Sequence, residues 1–219
     1  MKKAILGSLA VLPLVVGSVF TNASSASAAA LVGEFQFSSA FTTAKLSSSM
    51  VDFDDPGSDP GEVIVSLQTG SFLPFGAAFI KDIVPINSNA PSNNPFLDLE
   101  AAFSWDVNAV GDGLNVFNLT EVGAYQFSQS GMNVAIDLPV WGKFISADGK
   151  VSKGAGNLTF QVNNMKVADI QALIASGGMV QSSFSGAAFA TVPEPASILG
   201  LGMVASSLAL SRTRKKNQA

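Results

Sequence analysis

The chain has 219 residues, with 12 Lys or Arg, 16 Asp or Glu, and neither His nor Cys. Without His there is no imidazole base, no Ser-His-Asp triad and none of the commonest metal ligand; without Cys there are no disulfides, thiolate zinc sites or thiol nucleophiles. Charged residues make up 13% of the chain, about half the usual share. Between Leu31 and Ala190, six lysines stand against fifteen acids, a net charge of −9, while the other basic residues lie in two short end runs. Nucleic-acid binding needs a basic face for phosphates, and this acidic middle excludes it.

Lys2 and Lys3 open the chain, an apolar stretch from Ala4 to Phe20 follows, and small residues run from Thr21 to Ala30. This order predicts a secretory signal helix over residues 1–28, cut by signal peptidase after the Ala26-Ser27-Ala28 pattern. Ala28-Ala29-Ala30 is an alternative cut, and an uncleaved anchor is the other reading of the same segment.

Residues 29–190 have the length of one domain, and period-two alternation recurs through them. The pattern predicts strands at 34–37, 63–67, 72–80, 97–101, 114–119, 123–128, 134–138, 141–146, 158–162 and 181–191. Asp55-Pro56-Gly57, Asp112-Gly113, Ser130-Gly131 and Asp148-Gly149 are turn signals between them, and the last predicts a hairpin. Residues 85–95, rich in Asn and Ser between prolines, predict an exposed loop. Val167, Ile170, Leu173 and Ile174 share one helical face before Gly177-Gly178, which predicts one short helix. The expected fold is therefore an all-β, antiparallel β-sandwich-like ectodomain with one short helix, its sheets packed through most of the 16 phenylalanines.

Three constellations in this middle region could carry chemistry. Asp52, Asp54, Asp55, Asp59 and Glu62 form the densest run of carboxylates, and oxygen-only ligation suits calcium. Their spacing departs from the twelve-residue calcium loop, since Val63 stands at the twelfth position, and a solvated acidic turn is the alternative. Asp98, Glu100, Asp106 and Glu121 are acids that a glycoside hydrolase would need in a pair, but nothing in their spacing sets them apart from surface charge, and no enzyme is expected. Trp105, Trp141 and Tyr125 could stack on sugar rings, with core packing as the alternative role.

The C-terminus has three parts in strict order. Val192-Pro193-Glu194-Pro195 is followed by an apolar run from Ala196 to Leu210 and by a tail over 211–219 that holds Arg212, Arg214, Lys215 and Lys216. Fifteen helical residues reach about 22 Å, short of the roughly 30 Å hydrocarbon core, which predicts a weak transmembrane helix with its basic end in the cytoplasm. The prolines fix φ and hold the segment before the run extended and accessible. Residues 191–219 resemble a PEP-CTERM sorting signal, carried by exported proteins of Gram-negative bacteria, cyanobacteria among them, that commonly make exopolysaccharide. The resemblance implies that Pro193, Glu194 and Pro195 are recognised by exosortase, a membrane protease, and that the membrane holds the precursor until processing. It implies a surface-sorted structural or interaction protein of the cell envelope or extracellular matrix. A polysaccharide- or calcium-binding module and a carbohydrate-active enzyme are the rival readings.

Overall fold

Alternation decides which face most strands bury, and eleven strands form in a computed structural model that describes residues 30–39, 41–54, 60–104 and 111–191. The segments 1–28 and 192–219, with their two expected helices, lie outside the described residues. In chain order the elements are β1 (Gly33–Ser39), β2 (Thr43–Leu46), β3 (Val51–Asp54), β4 (Gly61–Ser66), a 3-10 turn (Gly70–Phe72), β5 (Ala77–Ile80) and β6 (Leu97–Glu100). Then come β7 (Val116–Val122), β8 (Gln126–Ser130), β9 (Asn133–Ile145), β10 (Val151–Val162), α1 (Val167–Ala175) and β11 (Val180–Thr191).

Among the described residues the protein is mostly β, with antiparallel pairing and one short helix, but its main sheet closes on itself instead of splitting into two packed layers. Neighbours run β1-β4-β5-β6-β7-β9-β10-β11, and β11 returns to β1 through the register Gly33↔Ala190 to Ser38↔Ser185, making an eight-stranded barrel. This corrects the sandwich expectation. Closure pairs residues about 150 positions apart, and alternation reports which face a residue takes but not which distant strand it meets. The remaining strands extend the barrel: β2 pairs with the first residues of β11 and with β3, and β8 pairs with the first half of β9.

β9 is one strand where two were expected, and Pro139 lies inside it. Residues 133–137 pair with β8 and residues 140–145 with β7, so Pro139 falls at the handover between two partners. Its carbonyl accepts from Gly123 N–H at 2.9 Å, and its missing N–H faces the gap between β8 and β7. The β9–β10 hairpin turns at Asp148-Gly149 as expected, with Gly149 at φ +74° and Ser146 bonded to Lys150 across it. α1 also appears where its spacing placed it. Ile170 and Ile174 are buried, and Gly177 (φ +84°) and Gly178 close the helix onto the carbonyls of Ile174 and Leu173.

Phenyl rings fill the barrel. Phe35, Phe72, Phe96, Phe117 and Phe144 are fully buried and in ring contact, with Phe117 stacked on Phe144 at 4.3 Å and Phe72 edge-on to Phe144 at 5.1 Å. Phe53, Phe160 and Phe184 pack together where the barrel meets β2 and β3. Room for the stacked pair comes from Gly142 and Gly154, which are register partners on β9 and β10.

Candidate functional site

β6 reads Leu-Asp-Leu-Glu, so Leu97 and Leu99 enter the core while Asp98 and Glu100 take the outer face. An outward carboxylate is ordinarily solvated. Asp98 is only 6% exposed, with Gly111 and Gly113, ahead of β7, lying against its carboxylate. Carboxylates hold the chain between β6 and β7 at both described ends. Ser104 N–H donates to Glu62 Oε1 at 2.6 Å, and Gly113 N–H donates to Asp98 Oδ2 at 2.7 Å. Glu62, Phe79 and Asp98 are in register across β4, β5 and β6, so both anchors stand on one face.

Asp112 completes a three-carboxylate group. Its N–H donates to Glu100 Oε1 at 3.0 Å, and its own Oδ1 accepts from Leu114 N–H at 2.8 Å. One oxygen each from Asp98, Glu100 and Asp112 lies within 4.8 Å of the others. Burial pushes the Asp98 carboxyl up from its ordinary range; the Gly113 bond and Lys81 oppose this, while the Asp112 charge adds to it. Glu100 is also raised, by burial first and then by the charges of Asp112 and Asp98, against the bond from Asp112 N–H. Asp98 Oδ1 is buried without a hydrogen-bond partner. A β-carbon at Gly111 would overlap the Asp98 carboxylate, so only glycine lets the backbone lie so close. Three oxygen donors around a buried, unneutralised carboxylate can hold a hard cation or share a proton.

The other expected site residues are dispersed. Asp52 faces Lys45 across the β2–β3 ladder, and Glu62 is committed to Ser104, so these two members of the expected calcium run point to separate tasks. The Asp54 side chain, Asp55, Asp59, Trp105 and Asp106 lie outside the described residues. Tyr125 donates its hydroxyl to the Met50 carbonyl at 3.2 Å, sets its ring edge-on to Phe127, and has its hydroxyl pKa raised by burial. Glu121 sits on β7 at the register shift opposite Trp141.

Trp141 is on the outside of the barrel, 40% exposed, and Phe189 is 50% exposed on the same face. The register Trp141↔Ala155↔Phe189 puts a single alanine between the two rings, with Cα atoms about 10 Å apart at two strand spacings. Beside Phe189 a shallow cavity is lined by Glu34, Gln36, Leu67 and Asn157. The sequence singled out Trp141 but not Phe189, whose outward position follows from the alternation of β11.

No protein-family model, curated protein or solved structure matches the chain. Function is therefore argued from its own residues.

Proposed function

We propose that the protein is exported and sorted to the cell surface, where its acidic barrel serves as a structural or interaction domain of the envelope or extracellular matrix. The observation that carries this reading is the join between domain and tail. β11 ends at Thr191, opposite Lys153 of β10, and Val192-Pro193-Glu194-Pro195 begins at the next residue. A cut at Pro193–Pro195 would thus remove the apolar run and basic tail while leaving every described strand whole. Signal peptidase acts at the N-terminal address and an exosortase-type membrane protease at the C-terminal one, with the membrane as a transient partner. The reading assigns no catalytic activity. Replacing Glu194 by Gln should leave the precursor in the membrane fraction with its C-terminal mass intact. Processing of this variant at the wild-type rate would remove the motif from its assigned role.

A second reading, binding of extracellular polysaccharide, is favoured by the exposed Trp141 and Phe189 rings. Aromatic faces separated by a small residue on the outer barrel wall offer stacking surface to successive sugars, and Glu34, Gln36 and Asn157 add hydrogen-bonding groups beside them. Trp141→Ala should abolish retardation of the protein in gels containing the host's acidic or neutral exopolysaccharide, with its circular dichroism unchanged. Equal mobility of wild type and variant in those gels would dismiss this reading.

A further inference from the structure

We propose that Asp98, Glu100 and Asp112 bind a hard divalent cation, of which calcium is the probe, and that the ion fastens the chain between β6 and β7 to the barrel wall. This site uses none of the carboxylates of the Asp52–Glu62 run and does not depend on the sorting signal.

The backbone already takes one oxygen of each carboxylate. Gly113 N–H occupies Asp98 Oδ2, Asp112 N–H occupies Glu100 Oε1, and Leu114 N–H occupies Asp112 Oδ1. These three bonds fix the carboxylates in place while each side chain keeps a second oxygen for another partner. Burial points to the missing partner most directly at Asp98. This residue is 94% buried by its 6% exposure, and its Oδ1 accepts nothing. A carboxylate oxygen removed from water without a donor is costly, and a cation is the partner that would satisfy Asp98 while also meeting the half-buried Glu100 and the exposed Asp112.

Charge and ligand type narrow the choice. Lys81 lies across a cavity lined also by Asp98, Gly111 and Gly113, and its ammonium lowers the cost of ionising Asp98. Three carboxylates against that one ammonium leave two negative charges, matched by a divalent ion. The chain has no His or Cys, so every side-chain donor available here is oxygen, which suits calcium or magnesium better than zinc or copper. Gly111 supplies the room, while Gly113 supplies a backbone conformation that favours glycine. Gly113 has φ +73°, and a side chain at Gly111 would occupy the Asp98 carboxylate's own space. The ion would close the β6–β7 connection in the way that Ser104 and Glu62 close its other end.

The test uses the purified full chain, stripped with chelator and returned to neutral buffer. About 10 mM calcium chloride, above the range of weak extracellular calcium sites, should raise the thermal midpoint by about 5 °C, and titration calorimetry should show one ion per chain. Asp98→Asn keeps an acceptor for Gly113 N–H and should fold, yet lose both the shift and the heat. Glu100→Gln provides a second variant with the same expectation. Asp52→Asn should retain the full response. Absence of heat and of any shift in the wild type would overturn the proposal, leaving a proton as the neutralising partner of Asp98. A response that persists in Asp98→Asn and Glu100→Gln, or that vanishes in Asp52→Asn, would overturn it by placing the ion elsewhere.

Discussion

Phe144→Ala should lower unfolding free energy by about 3–5 kcal/mol, the usual cost of removing a fully buried aromatic ring. Phe144 is fully buried, stacks on Phe117 at 4.3 Å, and meets Phe72 and Phe35 at 5.1 and 6.0 Å between centroids. One ring therefore joins β9 to β7, to β1 and to the 3-10 turn, and alanine would leave a void bordered by three other rings. Those neighbours are held by their own strands and can relax into the space only partly, so the cavity cost adds to the lost transfer energy. Urea denaturation would report the loss as a lower midpoint at unchanged slope. A loss below about 1 kcal/mol would mean that the barrel is filled less tightly than its ring contacts indicate.

Gly154→Ala should cost about 1–3 kcal/mol for the opposite reason, too much matter in the same place. A β-carbon there would stand 2.7 Å from Phe117 Cε2 and 2.7 Å from Phe144 Cδ2 and Cε2. Neither ring can swing aside, because each is packed on the other and on further rings. The two substitutions are therefore coupled. Phe144→Leu combined with Gly154→Ala should destabilise by less than the sum of the single changes, since the smaller side chain vacates what the methyl needs. Gly131→Ala makes a useful contrast. A β-carbon there would meet nothing within 4 Å, so any cost comes from its φ of +62° and should be indifferent to residue 144. Additivity within about 0.5 kcal/mol for the 144–154 pair would contradict the packing described for this end of the barrel.

The sequence made the direction of side chains legible and left their partners obscure. Alternation in β6, β9, β10 and β11 placed Leu97, Ile136, Phe160 and Phe184 inside, because a strand's faces are a local property. The helix and the Asp148-Gly149 hairpin were equally local and appear where expected. Barrel closure by β1 and β11 is a long-range pairing with no sequence period of its own. β2 and β3 were not anticipated at all. Each has four residues, although Ala44, Leu46, Val51 and Phe53 do alternate and are all buried. Residues 72–80 read as one strand but form the end of a 3-10 turn and then β5, since Phe75 N–H bonds back to the Phe72 carbonyl and closes a turn before the ladder begins.

The carboxylate group shows the same division. In the sequence Asp98 and Glu100 stand only among four candidate acids with Asp106 and Glu121, and Asp112 only as half of a turn with Gly113. Their convergence depends on a chain reversal outside any strand, held by backbone N–H groups that carry no residue signature. Burial of Asp98 depends on the same reversal, and no spacing rule reports it. The proposed tail signal differs: its three-part order is wholly sequential and is read without any fold.

The mature C-terminus, read by intact mass spectrometry on protein recovered from a host with its own export and exosortase-type machinery, tests the sorting account most directly. The account expects a chain that has lost residues 1–28 and ends within Pro193–Pro195, with the barrel complete through Thr191. A mass that runs through to Ala219 on surface-located protein would contradict it and leave residues 196–210 as a permanent anchor.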